Sequence, residues 1–152
     1  MALVVETPDA LEAWVGKEIA VTDWLRVTQE HIQRFAESTG DRQWIHTDVE
    51  RAQRESPFGA TVAHGFLTLS LLSQFLQQAL EIQGARMALN YGLNRVRFPS
   101  PVRANSLVRA RFTLQGVKKL AGSTEVVFAV AVEERGTNKP CCAAEWVVRY
   151  YD

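Results

Sequence analysis

Asp41 and His46, five positions apart in Phe35-Ala-Glu-Ser-Thr-Gly-Asp-Arg-Gln-Trp-Ile-His46, are the first residues in this chain with the makings of a reaction centre. A carboxylate beside an imidazole can hold a water, take its proton and return one. On an ideal helix a five-residue offset turns through about 140°, which would send the two side chains apart. Gly40 is a helix stop, so the residues after it read as a turn or irregular loop in which the two can converge. Taken alone, such a pair more commonly serves a structural role.

A second segment, Phe58-Gly-Ala-Thr-Val-Ala-His-Gly-Phe-Leu-Thr68, places Gly65 where a helix should begin. A glycine there lets a ligand approach free backbone N–H groups, which can stabilise an oxyanion or enolate. Close helix–sheet packing is the other reading of Gly65. His64 reads as structural or as lining a pocket, and His31 as solvent-facing on an earlier helix.

Helices must come first to position these groups. Gln29 to about Ser38 forms the first, with Thr28 as N-cap, Val27 and Ile32 at staple spacing, and Ile32, Phe35 and Ala36 as its apolar stripe. Ahead of it, Ile19 to Val27 reads as a strand. A second helix should start near Ala63 or His64 and run to about Ile82. Its apolar residues, from Leu67 to Leu80, spread around most of the circumference, as in a helix buried on several sides. From residue 86 the period falls to two. Val108, Ala110, Phe112 and Leu114 share one face of a strand, as do Val126, Phe128, Val130 and Val132 of the next. The last such set is Cys142, Ala144, Trp146, Val148 and Tyr150. Turn residues at Pro99-Ser100-Pro101, Gly122-Ser123 and Gly136-Thr137-Asn138 separate the strands. Helices followed by strands, without alternation, predict an α+β fold with an antiparallel sheet curled around the long helix.

With 152 residues, 47% of them hydrophobic, and 17 bases against 17 acids, the chain reads as one globular domain over residues 1–152. Zero net charge argues against disorder and against a general nucleic-acid binder, and leaves room for self-association. The charge is uneven. Residues 1–55 hold 11 acids and 6 bases, whereas Arg95 to Lys119 holds 7 bases and no acid. Those bases either face solvent on strands or meet a phosphate-bearing ligand such as a nucleotide or coenzyme A. The adjacent Cys141 and Cys142 suit two buried thiols rather than a disulfide, and reduced thiols suit a cytoplasmic protein. No ligand spacing points to a metal site. The first residues lack the features of a signal peptide. The uncharged stretch from Ser56 to Gln78 is too interrupted by polar residues, Gly and Pro for a membrane helix.

Taken together, the two segments resemble the MaoC-like dehydratases, the (R)-specific type 2 enoyl-CoA hydratases of the hot-dog fold. The signature of that family is an aromatic residue, a few residues, Gly-Asp-x-Asn-Pro-aliphatic-His and, after five intervening residues, a small residue. Here it reads as Phe35, Gly40-Asp41-Arg42-Gln43-Trp44-Ile45-His46 and Ala52. Val62-Ala63-His64-Gly65-Phe66-Leu67 is similar to the run that opens the family's central helix. Asn90 to Val102 is similar to the strand and turn that come after it. Gln43 and Trp44 depart from the usual Asn-Pro and resemble the nodulation-protein-N-like branch.

The resemblance implies a single hot-dog domain and an (R)-specific hydratase/dehydratase acting on trans-2-enoyl thioesters, with no cofactor beyond the coenzyme A of the substrate. Asp41 and His46 would hold and deprotonate the water, and the Gly65 N–H would bind the thioester oxygen. Gln43 and His64 would contact substrate, and Arg97 or Arg103 the phosphates. Phe58, Phe66 and Leu67 are candidates for an acyl tunnel or for core packing. A homodimer binding an acyl-CoA or acyl-carrier-protein thioester is the expected assembly. A thioesterase on the same fold and a non-catalytic acyl-thioester-binding or regulatory module are the alternatives.

Overall fold

A computed structural model describes all 152 residues. The chain opens with β1 (Leu3–Val5), a 3-10 helix (Pro8–Trp14), β2 (Glu18–Val21) and β3 (Leu25–Val27). Five helical segments come next: α1 (Gln29–Thr39), α2 (Trp44–Thr47), α3 (Val49–Glu55), α4 (Gly65–Ser70) and α5 (Leu72–Ala79). The remainder is strand: β4 (Leu80–Ile82), β5 (Met87–Arg97), β6 (Ser106–Leu120), β7 (Ser123–Glu134) and β8 (Cys142–Tyr151).

The main sheet is antiparallel and runs β2, β6, β7, β8, β5, with β3 beside β2 on the same flank of β6. Its long strands bury the residues that the period of two assigns to the inner face. Val108, Ala110, Phe112 and Leu114 of β6 are sealed, as are Val126, Phe128 and Val132 of β7. Phe112 and Phe128 meet edge to face at 6.0 Å. Against this surface lie Leu67, Leu71, Leu72, Phe75 and Leu76 of the central helix, which completes the hot-dog arrangement. The helix buries one broad side and leaves Phe66, Ser70, Ser73, Gln74, Gln77 and Gln78 exposed.

Two predicted elements differ in the structure. The strand expected over Ile19 to Val27 is broken into β2 and β3. Between them Thr22 turns its hydroxyl to accept the Ala110 N–H at 2.9 Å. The central helix does not reach Ile82. It ends at Ala79, because Leu80–Ile82 is drawn into a parallel pair with Leu3–Val5. Leu71 joins its two segments in a helical conformation, so the apolar side runs on through the junction.

Cys141 and Cys142 are free and buried, and burial raises their thiols to about 12 and about 11. Thiols so held are poor nucleophiles near neutrality. No helix is long and apolar enough to cross a membrane.

Candidate active site

The Thr28 hydroxyl caps α1 by accepting the His31 N–H at 3.1 Å. Gly40 ends the helix in the left-handed region, φ 83°, where a side chain would be strained. Asp41 comes next in the link Gly40–Gln43, which has no regular secondary structure, with its side chain exposed and Oδ1 accepting the Gln43 N–H at 3.4 Å. The link then winds into α2, a single turn that carries His46. The segment expected to be irregular throughout is thus helical from Trp44, and Asp48 caps a further helix, α3, that the sequence pattern does not announce. Gln43 sits at the head of α2 with its amide exposed and no capping bond.

His46 is buried, and both its backbone and its ring are pinned. Gln29 Nε2 donates to the His46 carbonyl at 2.8 Å, while the other end of that amide accepts the Thr61 hydroxyl. His46 Nδ1 lies 2.6 Å from the Val62 carbonyl. A carbonyl can only accept, so Nδ1 carries the hydrogen and Nε2 keeps its lone pair, as a general base requires. Burial lowers the His46 pKa. Protonated His64 would push the same way, while the Val62 carbonyl and the Asp41 charge oppose.

His64 immediately precedes α4. Its ring stacks on His46 with centroids 3.8 Å apart and planes inclined by 22°, and Phe35 packs on it at 4.9 Å. His64 Nε2 donates to the Asp41 backbone carbonyl at 2.9 Å. Its Nδ1 is buried with no hydrogen-bond partner, a condition that costs about 1–3 kcal/mol if left unrelieved. One Asp41 carboxylate oxygen and a ring nitrogen from each histidine lie within 4.8 Å of one another. Nearly parallel stacked rings direct their in-plane lone pairs side by side. They do not converge on a point about 2 Å from both, so the cluster suits hydrogen-bond chemistry better than a metal ion.

Gly65 heads α4, where an N–H has no partner within the helix. The Phe98 ring covers it so closely that a Cβ on Gly65 would stand 3.1 Å from Phe98 Cδ2. A pocket of about 400 Å³ opens here, lined by Phe58, Ala63, Gly65, Phe98, Pro101 and Val102. Of the three residues considered for an acyl tunnel, Phe58 lines this pocket, Phe66 is exposed and Leu67 belongs to the core.

The two candidate phosphate arginines part company. Arg103 bridges to Val62, the residue whose carbonyl holds His46, and its side chain is exposed beside the site. Arg97 faces away. Val96 packs against the core, so the alternation of β5 turns Arg97 to the outer face of the sheet, among Arg95, Arg111, Ala131 and Ala143. Much of the acid-free basic segment is also engaged elsewhere: Arg109 pairs with Glu133, Arg111 with Glu18 and Glu133, and Lys119 with Asp9 and Asp152. His31, expected in solvent, is half-buried. Sequence reasoning missed Gln29, Thr61 and Phe98. Each acts through a contact distant in the chain, and nothing local marks it.

A sequence profile described as MaoC like domain matches residues 11–136. The chain is 48% identical over 141 residues to 3-hydroxyacyl-thioester dehydratase Z of Mycobacterium tuberculosis, covering 92% of this chain and 93% of that one. To nodulation protein N of Rhizobium leguminosarum bv. viciae it is 46% identical over 135 residues, covering 88% and 84%. Among solved structures, the unliganded R-hydratase PhaJ1 of Pseudomonas aeruginosa superposes with a TM-score of 0.73 at 24% identity, over 91% of this chain and 82% of that one.

Proposed function

Because this chain belongs to the MaoC-like family, we propose that it catalyses the reversible, (R)-specific addition of water to trans-2-enoyl thioesters. The observation that carries this reading is the meeting of the Asp41 carboxylate and the His46 and His64 rings within 4.8 Å, immediately before the N–H of Gly65. The name of the mycobacterial relative, a 3-hydroxyacyl-thioester dehydratase, fits the reverse direction.

In the forward direction the water oxygen bonds to C3. One of its protons passes to the Asp41/His46 pair, electrons move onto the thioester oxygen, and C2 receives a proton as the enolate collapses. The Gly65 N–H faces the enolate oxygen. General acid–base catalysis supplies roughly 10²–10⁴-fold, and an oxyanion donor roughly 3–4 kcal/mol. The exposed Gln43 amide and Arg103 are the polar contacts for the thioester and its phosphates, and the substrate is carried on coenzyme A or acyl carrier protein. The working unit is a homodimer joined along β5. This eleven-residue edge strand is paired on one side only and exposes Met87, Leu89, Tyr91 and Leu93, a combination that calls for a partner strand.

The test is purified protein with crotonyl-CoA, following enoyl absorbance and free thiol together. Loss of absorbance without thiol is the expected result. Thiol release without hydration would identify a thioesterase, and tight binding with neither signal a binding module.

A further inference from the structure

His64 Nδ1 is the one buried side-chain polar atom in the protein without a hydrogen-bond partner. Its protonation is set by its other nitrogen. Nε2 faces the Asp41 carbonyl, which only accepts, so Nε2 holds the hydrogen and neutral His64 presents a bare lone pair at Nδ1. His64 is 3% exposed, and its ring is stacked at 3.8 Å on that of His46. A buried acceptor held in this way calls for a donor that the folded chain does not provide.

Hydration supplies such a donor. A water that adds to C3 has two hydrogens: one leaves for the Asp41/His46 pair, and the other stays on oxygen as the hydrogen of the new 3-hydroxyl. We propose that His64 Nδ1 accepts the hydrogen bond from the hydrogen that stays. In the dehydrating direction the same contact holds the 3-hydroxyl, while the pair delivers the second proton and the C3–O bond breaks to release water. His64 gains and loses no proton in this step, and no covalent bond to it is made or broken. The assignment rests on the hydratase reading. It gives the three side chains separate tasks: Asp41 and His46 move protons, and His64 orients the oxygen through the proton that does not move.

Two substitutions separate this role from a structural one. An asparagine carbonyl reaches about as far as the histidine Nδ1, whereas a glutamine amide reaches about as far as Nε2. His64→Gln therefore keeps a donor for the Asp41 carbonyl and loses the Nδ1 acceptor. His64→Asn keeps the acceptor and loses the donor. With crotonyl-CoA, His64→Gln should lower kcat between about tenfold and a hundredfold with KM little changed, and His64→Asn should recover most of that loss. Near-normal activity in His64→Gln, or the reverse order of the two variants, overturns the assignment. If neither variant folds, the ¹⁵N signal of His64 Nδ1 in wild-type protein decides. It should move on adding 3-hydroxybutyryl-CoA and stay in place with butyryl-CoA, which has no hydroxyl; equal responses to both overturn the assignment. Wild-type hydration is the reference: if it is absent, the hydratase reading fails and this assignment with it, whereas an active wild type beside a normal His64→Gln rejects this assignment alone.

Discussion

His64 is tied to Asp41 through the backbone and not through the carboxylate: Nε2 donates to the Asp41 carbonyl at 2.9 Å. The ring thereby fixes where residue 41 sits while leaving both carboxylate oxygens clear of the histidine. The Asp41 side chain, accepting only a long bond from the Gln43 N–H, keeps most of its hydrogen-bonding capacity for a ligand.

Removing either proton-handling group should abolish most of the chemistry without unfolding the chain. Asp41→Asn and His46→Asn are each expected to lower kcat with crotonyl-CoA by about a hundredfold or more. The His46 variant retains a donor for the Val62 carbonyl, so its circular dichroism should match wild type. Near-normal turnover in either variant would sink the proposed site.

Activity and stability should both decline on the acid side. The His46 pKa lies below its ordinary value of 6.5, chiefly through burial, so the folded state holds fewer protons there than the unfolded state. His46 should therefore favour folding fully above about pH 6.5, with that contribution lost as the pH falls through the lowered pKa. The acid limb of kcat/KM should have its midpoint below 6.5. The denaturation midpoint should fall over the same range in wild type and less in His46→Asn. An acid limb centred above 6.5 would contradict the tautomer and burial described for this ring.

Gly65→Ala should impair turnover through Phe98 rather than through loss of the N–H, which alanine retains. The added Cβ would meet the Phe98 ring at 3.1–3.2 Å, and the ring would have to swing into the pocket. The double variant Gly65→Ala/Phe98→Leu should then be more active than Gly65→Ala alone. Additive losses in a double-mutant cycle would show the two positions to be independent.

The exposed apolar edge gives a prediction about mass. Wild type should scatter light as two chains of 17.1 kDa each, and Leu89→Arg/Leu93→Arg should scatter as one, with hydration falling in parallel. A dimer that survives both charges would place the interface elsewhere.

Features encoded within a few residues were legible in the sequence. Thr28 and Gly40 bracket α1 because cap and stop act over one turn, and the faces of β6, β7 and β8 come from strict alternation. Asp41, His46 and Gly65 stood out for the same reason, each lying in a compact motif. What escaped depends on partners far along the chain. Leu80–Ile82 has the composition of a helix end and becomes strand only because Leu3–Val5 lies beside it. Arg97 looked suited to a phosphate, but which face it takes is set by Val96 entering the core. Gln29 is an ordinary first-turn residue until Thr61 and the His46 carbonyl are brought to its two ends.

The pairing of β1 with β4 also sets an order of events during synthesis. Leu3–Val5 is translated well before Leu80–Ile82 and cannot join it until that strand has been made and the central helix has brought it into place. The closure spans roughly half the chain and adds only a short ladder, extended by Gln83 and Gly84 donating to the carbonyls of Val5 and Glu6. The residues of β1, made well before their partner, are thus among the last to find their register. In the finished protein they can detach without opening the main sheet, and their amides should exchange with solvent ahead of those in β6, β7 and β8.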